Sequence, residues 1–220
     1  MKTENQNAAS FAAQVAKDAT AQAHAQEIAN TRKGGLGGSD AAMVYKVGLN
    51  GLLSLSATDV KRLAVMVGTY PAGGWGGNAY TNAGHAFEDY AEKVLPFGRY
   101  GYEREAVLKQ PLAKAFDVFA HADFVCGSEH SCVIECKYVQ QDTAHVVERY
   151  YPQLQWYYML GAQSVHLYHG RGSVEPFEVE EACVQLIERD EQTIAILLNG
   201  IKTIDDALCG GWLPKYDPNF

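Results

Sequence analysis

The stretch FDVFAHADFVCGSEHSCVIECK, Phe116 to Lys137, reads as two β-strands joined by a tight polar turn. Asp117, Val118 and Phe119, then Phe124 and Val125, form a first β-prone run. Gly127, Ser128, Glu129 and His130 are turn residues. Cys132, Val133 and Ile134 begin a second run that ends in Glu135-Cys136-Lys137. Side chains alternate along a strand, so Glu135 and Lys137 share one face while Ile134 and Cys136 share the other. The hairpin brings Asp123 beside them. Two carboxylates and one ammonium then converge at a sheet end, in the spacing Asp-x(11)-Glu-x-Lys.

Two close carboxylates repel unless something positive sits between them. Mg²⁺ is a hard, oxygen-seeking ion that one or two carboxylates usually hold. A lysine two residues along the strand would orient or deprotonate an attacking water. Together these groups suit attack on a phosphodiester. A lone Glu-x-Lys is an ordinary surface pair; the upstream Asp and three further segments give this one its meaning.

Asp123, Glu135 and Lys137 resemble the signature of the PD-(D/E)XK nucleases, with His121-Ala122 in place of the usual residues before Asp. Three other segments resemble its phage lambda exonuclease branch, the YqaJ-like viral recombinases. They are Arg32-Lys33-Gly34-Gly35-Leu36-Gly37-Gly38-Ser39-Asp40-Ala41-Ala42, Gly84-His85-Ala86-Phe87-Glu88 and Gln153-Leu154-Gln155-Trp156-Tyr157. All four motifs stand in the family's order. The family's usual Trp upstream of the Arg is absent. The resemblance implies an α/β (α+β) restriction-endonuclease-like core, a central mixed sheet flanked by helices. It implies metal ligation by Asp123, Glu135 and the backbone carbonyl of Cys136, with Glu88 near a second ion. Lys137 would position the nucleophile, Arg32 and Ser39 would contact a terminal 5′-phosphate, and Gln153 and Tyr157 would line the site. Gln155 is an alternative register for the glutamine. Two Mg²⁺ ions, with Mn²⁺ as a substitute, double-stranded DNA ends, a homotrimeric ring and a single-strand annealing partner follow from the same resemblance.

Composition sets bounds. The 220 residues suit one domain, and a chain 47% hydrophobic can bury a real core. We expect a disordered tail at 1–9 and a nuclease domain over 10–220, with its core at about 32–170 and a helical part at 180–209. No apolar run has transmembrane length, and the polar N-terminus does not read as a signal peptide. Five cysteines, an odd number, suit a reducing cytosol, and the resemblance suggests phage or prophage origin. Net charge −8 excludes a broadly basic DNA-binding surface. Residues 31–62 hold five basic and two acidic residues, so they are the basic segment that would meet phosphate.

Along the chain, Ser10 to Asn30 has a sparse apolar stripe with Phe11 and Val15. Gly34 to Gly38 break the chain before Ser39, a candidate N-cap for a helix through Ala41 to Val44. Such a turn is either an anion site or a flexible hinge. It lacks the Gly-Lys-Ser/Thr of a P-loop. Helices are expected at Thr58–Val67, Gly84–Leu95 and Thr143–Leu160, the last with Pro152 forcing a kink or a late start. Trp75 lies among four glycines, able to stack on a base or to fold over the core. Strands are expected at Glu105–Leu108, Val165–His169 and Val174–Val179. A long helix is expected over Glu180–Asn199 and a short one over Thr203–Cys209. Cys126, Cys132 and Cys136 cluster on the hairpin, but a thiolate metal centre usually needs four convergent ligands.

Overall fold

The computed structural model describes residues 34–72, 78–97, 101–127, 131–140 and 145–216. The expected N-terminal tail and helix, Arg32 and Trp75 lie outside them. The elements run β1 (Gly35–Leu36), a 3₁₀ turn (Gly38–Asp40), α1 (Ala41–Asn50), α2 (Ala57–Met66) and α3 (Ala79–Val94). Then come β2 (Tyr102–Gln110), β3 (Asp117–Cys126), β4 (Cys132–Val139), α4 (Val146–Met159), β5 (Ser164–Ser173), β6 (Glu178–Ile187) and α5 (Glu191–Cys209). The result is a mixed sheet flanked by helices. No helix among the described residues is long and apolar enough to cross a membrane.

β3 is the strand around which the sheet is arranged. β2 runs antiparallel along one edge of it, from Tyr102↔Cys126 to Gln110↔Val118. β4 pairs with the other edge over three rungs only, Phe124↔Ile134 to Cys126↔Cys132. Further along that same edge, β1 pairs in parallel through Gly35↔Asp117 and Leu36↔Val118. β3 and β4 therefore diverge from Asp123 onward and leave a fork. β4 continues in parallel with β5, and β5 in antiparallel with β6.

Two apolar clusters cover the two faces. The larger joins Ala120, Ala122, Val133, Leu154, Trp156, Tyr157 and Leu167 with α1 and α5. The smaller joins Phe124, Cys136 and Tyr168 with Phe87 and Ala91 of α3. Ala122 and Phe124, two apart on one strand, go to different clusters, so the pleat of β3 is interrupted at Asp123. The β2–β3 ladder skips the same point, where Glu105 has φ 56°, a conformation non-glycine residues adopt only under constraint.

Helices α1 and α5 cross at touching backbones. A Cβ on Gly48 would lie 2.0 Å from the Ile196 carbonyl oxygen, and one on Gly200 would lie 2.1 Å from that of Val44. Glycine is needed at both positions for close approach.

The C-terminal expectations need correction. Residues 180–187, read as the start of a long helix, belong to the edge strand β6, which begins at Glu178, near the end of the strand expected at Val174–Val179. The helix begins at Glu191, where Asp190 caps the Gln192 and Thr193 amides, and runs unbroken to Cys209. Val184 and Ile187 mimic a helical stripe, but an edge strand exposed on both faces carries acidic and apolar residues without a clear period of two. The helix at Thr143–Leu160 starts late, at Val146, with Pro152 inside it.

Candidate active site

The fork between β3 and β4 collects the predicted residues. The next rung after Phe124↔Ile134 is missing. In its place Asp123 Oδ2 accepts the Cys136 amide at 2.6 Å. A strand residue turns its own N–H and C=O to the same edge, so the Cys136 carbonyl also faces the fork. Glu135 is 2% exposed and receives three donors. Lys137 Nζ and Gln153 Nε2 donate to Oε1, the latter at 2.7 Å, and Tyr157 Oη donates to Oε2. The same hydroxyl has the His121 carbonyl at 3.2 Å. Lys137 Nζ also lies 5.0 Å over the Tyr150 ring. The helical spacing of Gln153 and Tyr157 puts both on the α4 face turned to the sheet.

The electrostatics follow from this crowding. Burial, then the Glu135 charge, push the Asp123 carboxyl well above the usual carboxylate range. Burial alone would lower the Lys137 ammonium, but the Glu135 and Asp123 charges outweigh it and hold the group above its ordinary value. Lys137 is thus a cation that donates rather than a free base in waiting. Burial, then Glu135, push the Tyr157 phenol up, so it stays a donor.

Glu88 lies at the rim. Its Oε2 is 3.2 Å from Arg104 Nη2 and 3.5 Å from His85 Nδ1. Its charge adds to those raising Asp123. Arg104 also binds Asp89 at 2.8 Å and Glu92 at 3.3 Å, so a cation stands behind Glu88 that the sequence did not reveal.

Among the described residues no three His, Cys, Asp or Glu side chains converge as a metal cluster. Cys132 Sγ instead lies 3.5 Å from His166 Nδ1, and burial pushes the Cys136 thiol up. The donors at the fork are oxygens only: the Asp123 and Glu135 carboxylates and the Cys136 carbonyl. That set fits a hard divalent cation, whose charge would offset both the burial and the Glu135 repulsion that raise Asp123.

The glycine turn borders the same fork. A Cβ on Gly35 would lie 2.7 Å from the Phe119 ring and 2.8 Å from the Asp117 carbonyl oxygen. One on Gly38 would lie 3.5 Å from Ala120 Cβ and 3.7 Å from Gln153 Cγ. Gly35 allows a close approach, and Gly38 sits in ordinary contact with its neighbours; the turn is packed, not a hinge. Ser39 is exposed inside the 3₁₀ turn. It is not the N-cap expected of it: the residue before α1 is Asp40, which makes no side-chain cap bond to that helix. Gln155 is fully buried and binds the Glu188 carbonyl and the Asp190 amide, so of the two glutamines it is Gln153 that reaches Glu135. His85 is a surface residue paired with Glu88.

No family model and no curated protein matches this chain. Solved structures do. The alkaline exonuclease LHK-Exo from Laribacter hongkongensis superposes with TM-score 0.54 at 16% identity, covering 84% of this chain and 97% of that one. The same enzyme with dAMP gives TM-score 0.56 at 18% identity, covering 81% and 90%. A phage-related exonuclease from Haemophilus somnus 129PT gives 0.54 at 12% identity, covering 84% and 100%. The chain has the fold of the alkaline and phage-related exonucleases, the lambda-exonuclease-like architecture that the four motifs resemble.

Proposed function

We propose that the protein is a divalent-metal-dependent deoxyribonuclease that degrades double-stranded DNA from its ends. The observation that carries this reading is the fork, where Lys137, Gln153 and Tyr157 converge on Glu135 and Asp123 takes the amide of the neighbouring Cys136. Asp123, Glu135 and the Cys136 carbonyl would hold Mg²⁺, or Mn²⁺ in its place, with Glu88 toward a second ion. A bound cation supplies Lewis-acid charge that offsets the charge growing on the attacked phosphate. Lys137 donates from its ammonium and orients the attacking water. Gln153 and Tyr157 fix the Glu135 carboxylate from the other side. The packed turn at Ser39, together with Arg32, would take the terminal 5′-phosphate, giving 5′-to-3′ degradation to mononucleotides and a 3′ single strand.

A ring trimer threaded by DNA, as the resemblance implies, would let an acidic chain hold a duplex with little electrostatic affinity. Light scattering at micromolar concentration should then give three times the chain mass. A cytoplasmic, phage-derived recombination role beside an annealing protein completes the reading. The sequence likeness to the YqaJ-like motifs supports it, and so does the shared fold.

The test is digestion of linear duplex labelled at the 5′ or the 3′ end, with Mg²⁺ or EDTA. Mononucleotides released from the 5′ end only with Mg²⁺, and closed circular DNA left intact, support the proposal. Cut circles indicate an endonuclease on the same core, and no metal-dependent release indicates a DNA-end-binding protein. Arg32→Ala should slow phosphorylated ends about tenfold to a hundredfold, the worth of a charge-assisted contact, and equal rates on phosphorylated and hydroxyl ends in both proteins would contradict it.

A further inference from the structure

The turn beside the fork owes its shape to a pair of side chains without a role in the chemistry above. Asp40 closes the turn and is 8% exposed. Its Oδ2 accepts the Gly37 amide at 2.9 Å. Arg62, on α2, meets the same carboxylate with two prongs, Nε to Oδ1 at 2.8 Å and Nη2 to Oδ2 at 2.7 Å. Nη2 also donates to the Gly35 carbonyl at 2.9 Å. One guanidinium therefore ties Gly35, in the strand that enters the turn, directly, and through Asp40 it ties Gly37 and the turn's end. The opposite side of the turn rests on Phe119, Ala120 and Gln153. Ser39 is the exposed residue between buried Gly38 and Asp40, so where it stands is set by these anchors.

We propose that Arg62 and Asp40 are positioning residues for end selection: they hold the turn so that Ser39 and its neighbours present a fixed pocket to the 5′ end of the DNA. This rests on the reading of the turn as the terminal-phosphate site. A planar fork gripping a carboxylate is a geometric constraint that a lysine does not reproduce. The pair is also mostly withdrawn from water, at 18% and 9% side-chain exposure, so salt screens it little. The alternative is a pair that only stabilises the junction of α2 with the turn.

The experiment compares kcat/KM on 5′-phosphorylated and 5′-hydroxyl duplexes for the parent, Arg62→Lys, Asp40→Asn and the double variant, with melting temperatures alongside. Asp40→Asn is isosteric and carries the test even if Arg62→Lys does not fold. Each single variant should lose about tenfold of the phosphate preference, as expected for one charge-assisted contact, chiefly through KM for the phosphorylated end. The double variant should lose no more than either single, because both break one contact. Amide exchange at Gly37 should quicken in all three. Variants that melt lower yet keep the parent's preference overturn the proposal, as do single losses that multiply in the double variant. A parent with metal-dependent digestion but no phosphate preference overturns the reading of the turn, and this pairing with it. A preference that survives both substitutions overturns the pairing alone.

Discussion

Tyr157→Phe removes one oxygen from a side chain that is 0% exposed and otherwise leaves the packing of α4 on the sheet intact. That oxygen donates to Glu135 Oε2, the carboxylate's one described partner on that side, since Lys137 and Gln153 both donate to Oε1. Burial and the Glu135 charge keep the phenol protonated, so the donor is present throughout the working pH range. A hydrogen bond to a charged group contributes about 1.5–3 kcal/mol. In a chain of this size such a loss lowers the melting temperature by about 3–12 °C. If the same bond holds Glu135 for catalysis, the rate should fall about tenfold to a hundredfold. The assay is the initial rate of acid-soluble nucleotide release from linear duplex with Mg²⁺, beside thermal melting of the same preparations. A variant that melts lower but turns over at the parental rate would show that Tyr157 is only core packing. Unchanged melting and unchanged rate would refute the hydrogen bond itself.

Asp123→Ala, Glu135→Ala and Lys137→Ala should each abolish release, as should EDTA on the parent, while circular dichroism shows a folded protein; turnover in any of the three would remove that residue from the site. Asp123→Asn should also be inactive, yet more stable than the parent without metal at neutral pH. The folded state holds the Asp123 proton more tightly than the unfolded chain does, so the cost of ionising it is absent below about pH 4. That cost grows as pH rises through the folded pKa, and Asn cannot incur it; melting curves of both proteins in EDTA from pH 4 to 8 should diverge, and parallel curves would count against a carboxyl that burial and Glu135 hold above its usual range. Gly200→Ala forces the α1 and α5 backbones apart, because its Cβ would meet the Val44 carbonyl oxygen at 2.1 Å. It should destabilise by about 3 kcal/mol or more, read by urea denaturation, and a loss under about 1 kcal/mol would mean the helices shift freely.

The hairpin, the alternation that sets Glu135 and Lys137 against Cys136, and the helix carrying Gln153 and Tyr157 are legible in the sequence, because period-2 and period-3.6 patterns are local properties of the chain. Their motif order was enough to point to the fold that the solved exonuclease structures share. Local pattern failed at β6, where an edge strand with acids among its apolar residues reads like a helix, since it is the β5 partner that determines its conformation. Pattern also left two questions open that tertiary contacts answered. Gln155, the alternative register to Gln153, is spent on the Glu188 and Asp190 backbone. The glycine run, read as either an anion site or a hinge, is packed at Gly35, where Phe119 and Asp117 leave no room for a Cβ. The fork has no signature in sequence at all: it exists because β4 leaves β3 after three rungs and Asp123 takes the amide that the next rung would have used. Nor does Arg62 announce itself, since its partner Asp40 lies 22 residues away on another element. What a chain says of itself is confined to neighbours along it, whereas a site is made of neighbours in space.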